Sequence, residues 1–258
     1  MQNLKISLVQ TKLIWEDAQA NRDLIESKIA SLKNQTDIII LPEMFSTGFT
    51  MNASNVIETM DGSTVNWMRT QAALLNSAIC GSIIIKENGN HYNRFIWMEA
   101  DGNYQTYDKR HLFTLAGEHE HYTAGTEKKI FNYRAWKICP MVCYDLRFPV
   151  WSRNSEQYDL LIYVANWPNK RSHAWKALLQ ARAIENQSYT VGVNRVGKDE
   201  NDLHYSGDSR LVDYAGFVQY QLSEVEGIST IELDFEKQQN FRNKLAFLDD
   251  QDTYKVIL

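Results

Sequence analysis

The chain has no low-complexity tract, no internal repeat and no Ser/Gly-rich linker, so nothing in its 258 residues marks a seam between domains. It has no uninterrupted apolar run near the ~20 residues a membrane-spanning helix requires. The N-terminal stretch Met1-Gln-Asn-Leu-Lys-Ile-Ser-Leu-Val-Gln10 lacks the apolar centre of a secretion signal, and the expected location is the cytoplasm. A surplus of positive charge is also missing. With 27 basic and 32 acidic residues the formal charge is -5, which provides no field for nucleic acid or an anionic membrane surface. A small molecule is the expected partner. Cysteine is scarce: Cys80, Cys139 and Cys143 are odd in number and lack metal-type spacing. A disulfide framework is therefore not expected in a reducing compartment, and at least one thiol is left for chemistry.

What is present is a 44% share of hydrophobic residues, enough for one large core and an expected single domain over residues 1–258. Apolar runs predict buried strands at Leu4 to Val9, Ile38 to Leu41, Ile79 to Ile85, Phe95 to Met98, Trp136 to Cys143, Leu160 to Val164 and Thr190 to Val193. Helical spacing predicts helices over Asp17 to Leu32, Ser63 to Ala78 and Ser172 to Asn186, with Ser63 and Ser172 as N-caps. The polar segment Gly197 to His204 reads as an exposed loop. Strand and helix alternation by itself suggests a doubly wound parallel sheet.

Three groups stand at the ends of predicted strands. Glu43 closes Asp37-Ile-Ile-Ile-Leu-Pro-Glu43, Lys109 follows Tyr104-Gln-Thr-Tyr-Asp108, and Cys143 ends Trp136-Lys-Ile-Cys-Pro-Met-Val-Cys143. A carboxylate within reach of a thiol can take its proton, and an amine can stabilise an oxyanion. Taken singly, each has a plainer reading: a core-filling cysteine, a capping carboxylate and a solvated lysine. The core reading is kept for Cys80 and Cys139, although Cys139 falls on the same strand face as Cys143 if the strand is regular through Pro140.

The blocks Leu-Pro-Glu43-Met, Tyr107-Asp-Lys109-Arg-His-Leu-Phe113, Cys143-Tyr-Asp-Leu-Arg-Phe-Pro149, Ala181-Arg-Ala-Ile-Glu-Asn-Gln187 and Asn194-Arg-Val-Gly197 occur in one order. Together they resemble the nitrilase, or carbon-nitrogen hydrolase, superfamily. The resemblance implies a four-layer α-β-β-α sandwich in place of the doubly wound sheet. It implies Cys143 as nucleophile, Glu43 as general base and later acid, and Lys109 with the Tyr144 backbone N–H as oxyanion stabilisers. It implies no metal, no organic cofactor and a homodimer. A second glutamate orienting Lys109 or the substrate is implied as well. Glu118 and Glu120 both qualify, and counting back from Gly125 favours Glu118.

The same loop, Glu118-His-Glu-His-Tyr122, could with His111 collect a divalent ion, but its spacing is not that of a common zinc motif, and solvated histidines are the ordinary reading. Asp145 and Arg147 are expected to pair and hold the turn after Cys143. The blocks around Lys109, Glu118 and Ala165-Asn-Trp-Pro168, and the late segment Phe241-Arg-Asn-Lys-Leu-Ala-Phe-Leu-Asp249, look like the bacterial YafV-type ω-amidase branch. That branch hydrolyses the terminal amide of short 2-oxo dicarboxylic acid monoamides. The alternatives are a nitrilase or N-carbamoyl amino acid hydrolase of other specificity, or a scaffold without turnover. A glutaminase domain of a larger enzyme is not expected, because no synthetase domain is attached. Phe45, Tyr144 and Trp167 are the expected apolar walls. Arg110 or Arg147 could supply charge for a substrate carboxylate, though a structural role is the plainer reading of each.

Overall fold

Successive side chains of a strand point to opposite faces, and along β1 (Leu4–Gln10) the two faces enter different cores. Leu4, Ile6 and Leu8 join one buried cluster and Val9 joins another. The short β2 (Ile38–Ile40) repeats the pattern, with Ile38 and Ile40 in the first cluster and Ile39 in the second. A sheet covered on both faces explains why β2 reads as a continuous apolar run and why β1 is buried at every position but Lys5. The computed structural model describes residues 2–256.

The first sheet has the order β13-β1-β2-β3-β4-β5, where β3 is Ala78–Glu87, β4 Asn90–Met98, β5 Tyr104–Asp108 and β13 Gly227–Leu233. The second runs β10-β11-β9-β8-β7-β6, with β12 also paired to β11. Its strands are β6 (Phe131–Tyr133), β7 (Trp136–Val142), β8 (Leu160–Ala165), β9 (Tyr189–Asn194), β10 (Val196–Lys198), β11 (His204–Val212) and β12 (Val218–Ser223). The sheets face each other across a core that includes Ile6, Trp97, Met141, Tyr163 and Val191. On the outer face of the first sheet lie α1 (Ala18–Ile29) and α3 (Ser63–Leu75), which insert Ile25, Ile29, Val65, Met68 and Ala72 against Ile39, Ile79 and Ile96. Each of the larger side chains contributes roughly 1.5–3 kcal/mol of burial, and Ala72 less. On the second sheet α6 (Ser172–Asn186) packs through Trp175 and Leu179. The short helices α2 (Ala53–Val56), α4 (Glu118–His121) and α5 (Pro149–Ser152) lie in connections, and α7 (Phe235–Lys244) closes against Trp136 through Phe235. The architecture is the α-β-β-α sandwich.

Several sequence expectations change at element ends. Ser63 and Ser172 are the first helical residues and not N-caps; those positions fall on Gly62 and Arg171, without a side-chain cap. At α3 the cap comes from the segment just before the helix, the Glu58 carboxylate accepting from Thr64 N at 2.6 Å. Ser172 turns its hydroxyl to the buried Asp208 carboxylate instead. α3 stops at Leu75 and not Ala78, because Asn76 takes a left-handed conformation (φ 55°) and Ala78 begins β3. Residues 197–204 are not wholly a loop: β10 and β11 pair through Val196↔Ser206 and Lys198↔His204, leaving a tight turn between them.

Candidate active site

β2, β7 and β8 run parallel within their sheets, and β5 shares their sense in the first sheet after two antiparallel steps. Their C-terminal ends deliver Glu43, Lys109, Cys143 and Asn166 to one place between the sheets. Open α/β sheets bind ligands outside the carboxyl ends of their strands.

Glu43 and Lys109 are buried. The Lys109 ammonium donates to Glu43 Oε1 at 2.9 Å and to both oxygens of Glu118 at 2.9 Å. Asn93, in the middle of β4, donates to Glu43 at 2.8 Å and to Glu118 at 3.3 Å. Asn166 N donates to the other oxygen of Glu43 at 2.8 Å, and its side-chain amide donates to the Glu43 carbonyl at 2.6 Å. Glu118 also accepts from the Phe113 N–H. The cluster thus has two carboxylates for one ammonium, a net charge of -1 inside the protein. Burial alone would drive the proton off Lys109, but Glu118 and Glu43 outweigh it and hold the ammonium above the ordinary lysine value. Burial, with the charge of Glu43, likewise raises the Glu118 carboxyl against the opposing pull of Lys109. The two shifts differ in origin: Lys109 is raised by its two carboxylates against burial, and Glu118 is raised first by burial.

Cys143 is half-buried and begins the turn after β7 with φ 43°, a left-handed conformation unusual for a side chain with a Cβ. The strand therefore ends at Val142 and not at Cys143, so strand parity does not carry from Cys139 to Cys143. The Cys143 sulfur lies 3.9 Å from the Asn166 carbonyl. Desolvation, followed by the charge of Glu43, raises the thiol well above an ordinary cysteine, while Lys109 opposes. The resting group is a neutral thiol with a carboxylate and an ammonium beside it.

The turn is anchored by Asp145, which is buried and accepts from Val142 N at 3.0 Å, the Tyr107 hydroxyl at 2.7 Å and His111 N at 2.9 Å. Asp145 and Arg147 do not pair as the sequence suggested. Asp145 faces inward to β5, whereas the Arg147 guanidinium lies over Trp167, 5.0 Å from the ring centroid. His111 meets Asp145 through Nδ1 at 2.8 Å and stacks on Phe148, away from His119 and His121. Among the described residues no group of three or more His, Cys, Asp and Glu side chains is arranged to hold a metal ion.

The two candidate glutamates separate sharply. Glu118 is buried on Lys109, while the Glu120 side chain is largely in solvent. The approach of this loop requires glycine at 125. Its N–H donates to the Lys109 carbonyl at 2.9 Å, and a Cβ there would sit 2.1 Å from the Asp108 oxygen.

A cleft of about 470 Å³ opens over Cys143 and Lys109. Tyr144 and Trp167 line it, and Phe45 does not. Met44, with φ 42°, reverses the chain just after Glu43 and sends Phe45 back into the core, where its ring is 6.0 Å from Trp67 and presses on Gly81. Four residues on, Phe49 takes the wall position, with the Lys109 ammonium 5.2 Å from its ring centroid. Arg110 also leaves the cleft, donating to the Gly125 carbonyl at 3.2 Å. Sequence reasoning missed Asn93, Asn166, Phe49, Arg171 and the 199–203 turn. β4 begins at Asn90 and not at Phe95, so Asn93 fell outside the predicted strand and carried no local signal; Asn166 lies within Ala165-Asn-Trp-Pro168.

Cys80 and Cys139 are fully buried in the sheets, and burial raises both thiols, Cys139 to about 12. Buried Tyr107 and Tyr163 are raised for the same first reason. Between the unfolded values, 9.0 for cysteine and 10.0 for tyrosine, and the higher folded ones, the unfolded chain binds fewer protons. Stability is then full below pH 9.0 and falls as pH rises above it. Urea unfolding at pH 8 and pH 10.5 is expected to give a clearly lower midpoint at about pH 10.5; equal midpoints would contradict the shifts.

The model of the carbon-nitrogen hydrolase family matches residues 5–243. A Yersinia enterocolitica protein named omega-amidase YafV is 44% identical over 259 residues, covering 100% of both chains. A Bacillus subtilis 2-oxoglutaramate amidase is 30% identical over 250 residues, covering 95% of this chain and 96% of its own. Among solved structures, a CN-hydrolase superfamily protein of Xanthomonas campestris with an arsenic adduct in its active site superposes with a TM-score of 0.97 at 44% identity, covering 99% of this chain and 100% of its own. Together with the α-β-β-α fold, these likenesses lead to one conclusion: the chain belongs to the carbon-nitrogen hydrolase family.

Proposed function

We propose that the protein is a cysteine-dependent ω-amidase, which releases ammonia from the terminal amide of short 2-oxo dicarboxylic acid monoamides such as 2-oxoglutaramate and 2-oxosuccinamate. The observation that carries the reading is a half-buried thiol set against a buried ammonium and two buried carboxylates at the floor of a cleft. The likeness to the ω-amidase and the 2-oxoglutaramate amidase supports the substrate class.

In this mechanism Glu43 takes the Cys143 proton as the sulfur attacks the amide carbon, so a raised thiol need not ionise beforehand. The carbonyl electron pair moves to oxygen, where Lys109 and the Tyr144 N–H stabilise it. Glu43 returns the proton to the departing nitrogen, ammonia leaves, and a thioester remains. Glu43 then deprotonates a water that attacks the thioester, and the sulfur recovers its proton as the acid departs. Glu118 acts through Lys109 by holding the ammonium in place. The residues present complete the cycle, and no metal or organic cofactor is assigned to it.

The chain acts as one catalytic unit in the cytoplasm, and the active form is a homodimer. Exposed Val150 on α5 and Ile184 on α6 leave apolar surface for a second copy, and Arg153 ties these helices together through the Glu185 carbonyl.

The test is a panel of 2-oxoglutaramate, its carboxylate methyl ester, glutamine, a simple nitrile and an N-carbamoyl amino acid, with ammonia as the readout. 2-Oxoglutaramate is expected to have the highest kcat/KM, above the ester by about ten- to hundredfold, the worth of one charge-assisted hydrogen bond. A better nitrile or carbamoyl substrate would move the protein to another branch of the family.

A further inference from the structure

Asparagine is disfavoured inside strands. Asn93 nevertheless sits fully buried in β4, opposite Ile84 of β3, and its carbonyl accepts from Lys109 N at 3.0 Å. Its side-chain amide can point only one way. Nδ2 meets the Oε1 atoms of both Glu43 and Glu118, and an amide oxygen turned toward the same two carboxylates would find only acceptors. Among the described residues Asn93 Oδ1 has no hydrogen-bond partner, so what the side chain contributes to the core is its two N–H groups.

A carboxylate oxygen offers two lone-pair positions. Glu118 Oε1 accepts from Lys109 and Asn93, and Glu118 Oε2 from Lys109 and Phe113 N. Glu43 Oε1 is filled in the same way by Lys109 and Asn93. Among the described residues Glu43 Oε2 has a single donor, Asn166 N at 2.8 Å, which leaves one position vacant. Asn166 also links that oxygen to the nucleophile, since its carbonyl is 3.9 Å from Cys143 Sγ. Of the two carboxylates, Glu43 acts on the thiol more strongly.

We propose that Asn93 is a positioning residue that closes Oε1 of both carboxylates to protons, so that Glu43 Oε2 alone exchanges the proton with Cys143. The proposal rests on the amidase reading of the site. The S–H bond breaks as O–H forms at Oε2, and that proton makes the new N–H bond as the C–N bond breaks. Without Asn93 an acceptor position opens on each Oε1, and two carboxylates sharing one ammonium take up a proton more readily. A carboxylate that already holds a proton cannot act as the base. The other titratable groups facing the pair are Lys109 from β5, Cys143 from the turn after β7 and Tyr122 after α4; Glu16 meets this side through Thr50. The Tyr122 hydroxyl donates to the Thr50 carbonyl at 2.7 Å, and burial holds it above the ordinary tyrosine value, so it stays neutral while the carboxylates titrate.

The experiment measures the pH dependence of ammonia release from 2-oxoglutaramate by the wild type, Asn93→Leu and Asn93→Ser, with circular dichroism to confirm folding. The acid limb of kcat/KM reports the carboxylate pair. In Asn93→Leu, a change of similar volume, that limb is expected to move up by about one to two pH units, the worth of a hydrogen bond to a charged group. At higher pH, where the pair is ionised, kcat/KM should return to within about tenfold of the wild type. Asn93→Ser keeps one donor in a smaller side chain; it should shift the limb by less, and it carries the test if Asn93→Leu does not fold. Loss of a merely structural contact would lower the rate at every pH and leave the limb in place. That result in a folded variant overturns the role of Asn93 and leaves the amidase reading standing. A wild type that releases no ammonia from 2-oxoglutaramate overturns both.

Discussion

Cys143→Ala is expected to abolish ammonia release, with a fall on the order of 10⁴-fold or more, the scale on which essential nucleophiles are lost. The folded state should change little. Cys143 is half-buried, alanine tolerates the φ of 43° no worse than cysteine, and the Asp145 contacts that shape the turn use backbone N–H groups and neighbouring side chains. Thermal unfolding should place the variant within about 1 kcal/mol of the parent. Cys80→Ala and Cys139→Ala are the controls: both thiols are sealed in the sheets, so their removal should cost stability through small cavities and leave the chemistry in place. Intact and peptide mass analysis after rapid quenching would find the acyl group on Cys143. An adduct on Cys139, or turnover by Cys143→Ala, would overturn the nucleophile assignment.

Lys109→Gln is expected to lower the acylation rate by about 10²- to 10³-fold, since a glutamine amide can donate one hydrogen bond but brings no charge to the developing oxyanion. Here a second effect is superimposed. Removing the ammonium leaves Glu43 and Glu118 as two buried carboxylates without a counter-ion, a loss of ~3–5 kcal/mol unless one of them is protonated. Glu43→Gln leaves Lys109 with Glu118, a neutral pair, and should be close to the parent in stability while losing the base. The double change Lys109→Gln with Glu118→Gln restores the original net charge. It separates the two effects: stability should recover and acylation should not. Pre-steady-state ammonia release on the folded fraction reads the rate, and urea unfolding reads the stability. Acylation near the parental rate in the double variant would assign the positive charge at the oxyanion to another group.

Much of the fold was written in burial pattern. A strand buried on both faces is largely apolar, so β1, β2, β8 and β9 stood out despite polar members such as Ser7 and Thr190, and the 3.6-residue stripes on α1, α3 and α6 marked the covering helices. Element ends were less legible. At α3 the cap is Glu58, which lies outside the helix, and Ser172 gives its hydroxyl to Asp208 on β11, so neither serine caps its helix.

At the site the division is sharper. Strand-end placement drew attention to Glu43, Lys109 and Cys143, but each had a plainer reading taken singly, and it was the resemblance of the surrounding blocks to the family that assigned their roles and put Glu118 ahead of Glu120. Tertiary structure decided what each side chain meets. Gly125 lets the loop close on Asp108, so Glu118 reaches Lys109 and Glu120 does not. The left-handed backbone at Met44 exchanges Phe45 for Phe49 at the wall, and the turn at Cys143 parts Arg147 from Asp145. Asn93 joins the two carboxylates from β4, fifty residues from Glu43 along the chain. Local sequence determines whether a segment is strand or helix, since that choice depends on nearest neighbours and the periodicity of burial. Which charges share a cavity depends on backbone reversals and sheet-to-sheet packing, and those are properties of the folded chain.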